Sequence, residues 1–409
     1  MKEIRTIVID PGHGGENLGT ISNENFVEKD ITFLTAQTIY DELSKYEELE
    51  VYMTRTEDVD LSLKDRAKFA DKVDADMVFS IHYNASESHL MFGSEIWVPL
   101  DAPGNATGYR FGEIFLNKMQ DMGLHLRGIK TKESEETPGN NYYGIIRESH
   151  ERSIPAVILE HCYVDAPDDL SYVENEEDFI AFGKADAQAI LEFVGLEPHS
   201  KEYESFSYPL DQVVQSSLKD NTPPEYCEIE VIDADYDNGL LSLQVTAFDN
   251  DSALLYYDYS LDGGESYSAI MAWPESNALT GDYADSFKLT LAIEHRTIPK
   301  VSVRAYNGFD LVSESNTISD FAGVFIDPVE LLKEQESIEN IRRDREEREA
   351  STLEGYEIVS LVKEEPKPEY TKAQVFIFLS LAVVIIIFFA SILMMLMGNR
   401  QKRKRRRKK

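Results

Sequence analysis

Apolar residues along the first two hundred positions follow two alternating rhythms. Short apolar runs at residues 4–9, 50–54, 76–82, 94–99 and 156–159 read as strands. Longer stretches at residues 29–46, 61–73, 108–123 and 178–194 read as helices. In the first of these, Ile31, Leu34, Ile39, Leu43 and Tyr46 recur at helical spacing. Ser62 or Asp60 is placed to cap the second helix, and Gly123 to close the third. Strands that alternate with helices predict an α/β domain with a largely buried, mixed sheet flanked by helices, over residues 1–198.

The rhythm changes near Pro223. Runs at residues 229–232, 241–248, 254–261, 286–293 and 300–306 are short and alternating. They are separated by turn residues such as Asp249-Asn250-Asp251, Asp262-Gly263-Gly264 and Asn307-Gly308. This pattern predicts an all-β sandwich over residues 223–320, joined by a linker at 199–222. Residues 257–264 resemble a strand and turn of the immunoglobulin-like modules of bacterial surface proteins, a resemblance that carries fold alone. The run Asp233-Ala234-Asp235-Tyr236-Asp237-Asn238-Gly239 is similar to the start of a calcium loop. Its glycine comes one place late and Gln244 stands where a glutamate is needed, so an Asn-Gly hairpin turn explains it better.

Residues 321–372 are rich in Glu, Arg and Lys and read as a charged stalk. Residues 375–397 form an apolar run of 23 positions without a charge, inside a segment (373–398) expected to cross a bilayer as one helix. A basic tail, residues 399–409, follows directly. The net charge of the 409 residues is −35, and this tail carries nine Lys and Arg and no acid, leaving −44 on the rest. A body so acidic excludes nucleic acid as a partner. By the positive-inside rule the tail is cytoplasmic, and the domains before the span lie outside the cell membrane. Residues 1–20 show no apolar signal segment, so either the true start lies upstream or the C-terminal helix alone directs insertion, with an enzyme facing the cytoplasm on a tail anchor as the alternative. The two cysteines, Cys162 and Cys227, fall in different predicted domains and are expected to be free.

The candidate chemistry begins where the first strand stops, at Asp10-Pro11-Gly12-His13-Gly14-Gly15. Glu28 opens the first helix, and His82 ends the third strand. Two imidazoles and a carboxylate can hold zinc as three protein ligands with one position left for water. Glu160, delivered by the strand at 156–159, is the candidate acid/base. Each residue has an ordinary alternative. An acid in a first turn complements the positive end of its helix; a strand-end histidine can be a core residue bonded to a carbonyl; Glu160 can pair with an arginine.

Taken together, the order of motifs resembles the zinc-dependent N-acetylmuramoyl-L-alanine amidases of bacterial cell walls. The matching residues are 10–15, then Glu28-Lys29-Asp30, Thr54-Arg55-Thr56-Glu57-Asp58, Leu63-Lys64-Asp65-Arg66-Ala67, Ser80-Ile81-His82-Tyr83-Asn84-Ala85 and Pro155-Ala156-Val157-Ile158-Leu159-Glu160. The resemblance implies that His13, Glu28 and His82 bind Zn2+, that Glu160 is catalytic, and that peptidoglycan is the substrate. The bond cut is the amide between N-acetylmuramic acid and L-alanine. Asn84 also matches a family position and is a candidate substrate contact. The polar loop 131–143, with Asn140 and Asn141, is expected near the cleft, where these two would meet the stem peptide. Arg66 is expected to organise structure by pairing with an acid. The run after Glu160, His161-Cys162-Tyr163-Val164-Asp165-Ala166, departs from the family's small residue, aromatic and serine-asparagine pair. Strand alternation places His161 on the face opposite Glu160. Two rival readings stand beside this one: a catalytically inactive amidase-like module that binds wall or a division partner, and a zinc amidohydrolase acting on a non-wall substrate.

Overall fold

The structure is a computed structural model that describes residues 4–22, 26–101, 104–197, 213 and 220–353. The α/β half is built on β1 (Thr6–Pro11), α1 (Glu28–Leu43), β2 (Glu50–Met53), α2 (Leu63–Lys72), β3 (Met77–Asn84), β4 (Ser94–Trp97), α3 (Gly104–Met122), β5 (Leu126–Lys130), α4 (Gly144–His150), β6 (Ala156–Tyr163) and α5 (Glu176–Val194). The sheet order is β2-β1-β3-β6-β4-β5. All neighbours are parallel except β4 and β6, so the sheet is mixed.

One face of the sheet packs on α1, α3 and α5 through Phe79, Ile81, Val157, Leu159, Ile96 and Ile129, all buried. Local chemistry sets the helix ends. Ser62 accepts from the Asp65 amide at the start of α2, as its sequence predicts. Asn175 and Asp178 form a reciprocal cap on α5, and Gly195 closes it in the left-handed conformation. Two elements escape the sequence pattern: β5, interrupted by Gly128, and the seven-residue α4.

The second half forms two antiparallel sheets. β7 (Tyr226–Asp235), β8 (Leu240–Phe248) and β11 (Ser286–Ala292) make a three-stranded sheet in the order β11-β8-β7. β9 (Leu254–Ser260), β10 (Met271–Ala272), β12 (Ser302–Asn307) and β13 (Val312–Glu314) make a four-stranded one in the order β10-β9-β12-β13. Ile229, Leu243, Val245, Trp273, Val303, Ala305 and Phe325 fill the core between them. Asn238-Gly239 turns the β7–β8 hairpin, with Asp235 accepting from the Asn238 amide and side chain. Both cysteines are free and buried, Cys162 in one core and Cys227 in the other.

Both halves belong to one compact unit that runs to Gln335. A third apolar cluster joins them: Phe92, Tyr163 and Ala166 pack with Leu255, Tyr256, Ile270 and Tyr306. The acidic and basic stretch after the sandwich is helical, as α6 (Pro328–Leu353). Among the described residues, no helix is long and apolar enough to cross a membrane. The expected span at 373–398 and the basic tail lie outside the described residues.

Candidate active site

The loop after β1 is held by buried charge. Asp10 accepts from Thr54 (2.6 Å), Ser80 (2.8 Å) and Arg66 (2.8 Å). Arg66 also donates to the carbonyls of Pro11 and His13, which gives it the organising role expected of it. Arg55, whose part the sequence reading missed, donates to the carbonyls of Pro11, Gly12 and Lys29. These clamps keep His13 at φ 59°, a left-handed conformation that a non-glycine residue adopts only when its surroundings impose it. Gly12 has its own reason. A Cβ there would lie 2.4 Å from the His82 ring, so only glycine lets the two segments meet.

The three expected ligands converge although they are far apart in sequence. One oxygen of Glu28 lies 3.0 Å from His13 Nε2 and 3.0 Å from His82 Nδ1. The two imidazoles sit edge to face with centroids 4.9 Å apart. Donor atoms of the three residues all lie within 4.8 Å of one another. Two ligands about 2.1 Å from one zinc ion, at a tetrahedral angle, stand roughly 3.4 Å apart. The cluster therefore fits such an ion in both spacing and donor type.

Neighbours orient each ligand. Asn17, also missed in the sequence, bonds His13 Nδ1 at 3.0 Å and so turns Nε2 towards Glu28. The Thr20 amide donates to Glu28 at 2.8 Å and the Tyr83 amide at 3.3 Å. Burial pushes the Glu28 carboxyl up, but hydrogen bonds and charge from His13 and His82 outweigh it and hold it well below the usual carboxylate range. The His13 imidazole is raised in turn: burial opposes its charge, and the hydrogen bond and charge of Glu28 prevail.

Glu160 is the register partner of His82 on the adjacent parallel strand, so both side chains rise from the same face. Its Oε2 is enclosed and meets no hydrogen-bond partner. Burial, then the charges of Glu28 and Glu95, push its carboxyl well above the ordinary range. His161 lies on the opposite face, fully buried, between Asp186 (2.7 Å) and the His82 carbonyl (3.0 Å). It thereby braces the backbone of a candidate ligand from behind.

The three asparagines fall in different settings. Asn84 donates to Glu95 at 2.9 Å and accepts from the Ala85 amide. Asn141 is buried and accepts from the Leu100 amide at 2.8 Å, so its side chain holds the loop together. Asn140 is exposed on that loop. The loop's far end does approach the site: Tyr143 packs on Trp97, and burial followed by the charges of Glu95 and Glu160 raises its hydroxyl above its ordinary range. Glu95, Trp97 and Tyr143 were not read from the sequence; alternation along residues 94–97 was the one signal for the first two.

A profile of the N-acetylmuramoyl-L-alanine amidase family matches residues 7–192. The probable cell wall amidase LytH of Staphylococcus aureus is 30% identical over 174 residues, 42% of this chain and 52% of that protein. The chain thus spans about half the length of the curated relatives it matches. The catalytic domain of CwlV, an amidase from Bacillus (Paenibacillus) polymyxa var. colistinus, is 27% identical with a TM-score of 0.41, covering 47% of this chain and 100% of that one. An N-acetylmuramoyl-L-alanine amidase from Clostridium difficile 630 is 29% identical with a TM-score of 0.40, covering 47% and 98%. Residues 7–192 are thus similar to the N-acetylmuramoyl-L-alanine amidase family.

Proposed function

We propose that the chain is a zinc-dependent peptidoglycan amidase that cuts the bond between N-acetylmuramic acid and L-alanine. The observation that carries this reading is the meeting of His13, Glu28 and His82 donors within 4.8 Å, with Glu160 beside His82 in register. His13, Glu28 and His82 are the residues that would hold the metal. Zinc bound there would supply Lewis acidity, polarising a carbonyl and lowering the pKa of water, and its charge would favour the ionised, proton-accepting form of Glu160. Glu160 takes a proton from the attacking water and gives it to the leaving nitrogen. The carbonyl carbon gains the hydroxyl as the C–N bond breaks, and the stem peptide departs with a free alanine amine. Glu160 is half-buried, so its side chain is open to a substrate while one carboxyl oxygen stays enclosed. Asn17 and the Thr20 amide keep the ligand groups in place throughout.

The wider reading is an enzyme anchored by residues 373–398 with its tail in the cytoplasm and its catalytic half outside. The sandwich is of immunoglobulin type, and α6 with the residues after it sets reach from the membrane. The test is mass spectrometry of peptidoglycan incubated with the full chain. Released stem peptides with N-terminal alanine are expected, abolished by a chelator and restored by zinc. Glycan-strand or cross-bridge cleavage without such peptides, or release indifferent to chelator, would refute the proposal.

A further inference from the structure

The face that carries Glu160 continues onto β4, where Glu95 is the register partner of Glu160. Glu95 is 3% exposed, and four donors hold it. Asn84 (2.9 Å) and the Trp97 indole (3.1 Å) reach one oxygen. Arg127 (2.8 Å) and Lys130 (2.7 Å) reach the other. Arg127 can do this because β5 bulges: Ser94 pairs with Leu126 but Glu95 pairs with Gly128, which leaves Arg127 as the extra residue. Gly128, at φ 102°, absorbs the backbone reversal.

Arg127 is 2% exposed, and its other end belongs to the β-sandwich. Nη1 donates to the Tyr256 hydroxyl at 3.0 Å, and Nη2 contacts both oxygens of Asp310 at 2.9 and 2.7 Å. The rings of Tyr163 and Tyr256 flank the guanidinium at 4.9 and 5.5 Å. The turn that presents Asp310 is rigid. Buried Asn307 accepts from the Phe309 and Leu311 amides, its own amide group donates to Asp220 and Asp249, and Asp310 sits at φ 63°. Two cations and two anions thus close a neutral, largely enclosed chain from the sandwich to the strand beside Glu160.

Resting on the amidase reading, we propose that the β-sandwich is a working part of the catalytic centre, with Asp310 and Arg127 as positioning residues that fix Glu95 and, through it, the strand pair that aims Glu160. The sandwich then does more than space the enzyme from its anchor: it supplies the outer end of an ion chain that the α/β half cannot complete alone. An interaction that holds a reacting group in line acts on turnover, and small displacements of such a group cost large factors in rate.

The test compares the purified full chain with Asp310→Asn, which keeps the side-chain shape and tolerates the left-handed backbone, and with Tyr256→Phe, which removes only the hydroxyl. Hydrolysis of a soluble muropeptide is followed together with zinc content and thermal melting. Asp310→Asn is expected to lower kcat about tenfold, with KM within about twofold of wild type and zinc and melting temperature preserved. Tyr256→Phe is expected to lower kcat by about threefold. Full kcat in Asp310→Asn, with an active wild type, overturns this inference alone. A fall in kcat that merely follows lost zinc or lost folded protein marks a structural tether and overturns it equally. A wild-type chain without turnover refutes the amidase reading and takes this inference with it.

Discussion

Glu160 and Glu95 stand side by side on neighbouring strands of one sheet, yet their surroundings are opposite. Glu95 is saturated by four donors, two of them cationic, and its carboxyl is held well below the ordinary range: burial pushes it up, and Lys130 and Arg127 overcome that push. Glu160 has an enclosed oxygen with no partner, and burial leaves its carboxyl far above that range. Environments that drive two carboxyls apart in this way assign them different work. Glu95 is a fixed anion that orders its neighbours; Glu160, which no donor holds, is the proposed proton carrier.

Removing Glu95 should give the larger effect on stability. Glu95→Ala leaves Arg127 and Lys130 inside with Asp310 as their remaining acid, and a loss of about 3–5 kcal/mol is expected in denaturant unfolding. Glu160→Ala removes a carboxyl that has no donor to lose and should change stability by less than about 1 kcal/mol. Equal losses in the two variants would erase the contrast.

A smaller effect comes from pH at the junction of the two halves. His125 packs on Phe92 and Tyr256, its Nε2 is enclosed without a partner, and burial followed by the Arg127 charge pushes its imidazole down to about 4. The folded chain therefore refuses a proton that the unfolded chain accepts near pH 6.5. The contribution of neutral His125 is complete above that pH, declines as pH falls to about 4, and is constant below, with at most about 3 kcal/mol lost. Unfolding free energies at pH 7 and 4.5, compared between wild type and His125→Phe, should show a shallower acid slope in the variant. Identical slopes would remove His125 from this role.

The same contrast explains what could be read from the chain alone. The candidate metal cluster was legible because its residues stand in distinctive local settings: Gly-His-Gly-Gly at a strand end, an acid at a helix start, a histidine closing an apolar run. Alternation alone placed His161 behind the sheet. The ion chain was not legible, since Arg127 and Asp310 are 183 positions apart and each looks like an ordinary surface charge. Nor did β5 announce itself, because its bulge puts Arg127 and Gly128 in the middle of the strand. The short β10 and β13 lack enough residues to show alternation. The seven residues of α4 span barely two turns, too few for a helical period to emerge. The expected boundary at residue 198 followed a change of rhythm, and rhythm reports local structure; the apolar and ionic joint between the halves is made by side chains distant in sequence.

The most direct measurement is zinc content and muropeptide turnover in Glu160→Gln, made side by side with the wild-type chain. The account predicts about one zinc per chain in both proteins and a fall in kcat of about a thousandfold in the variant, as expected when a positioned proton carrier is lost. Near-normal turnover in Glu160→Gln, or absence of bound zinc from an active wild type, would contradict it.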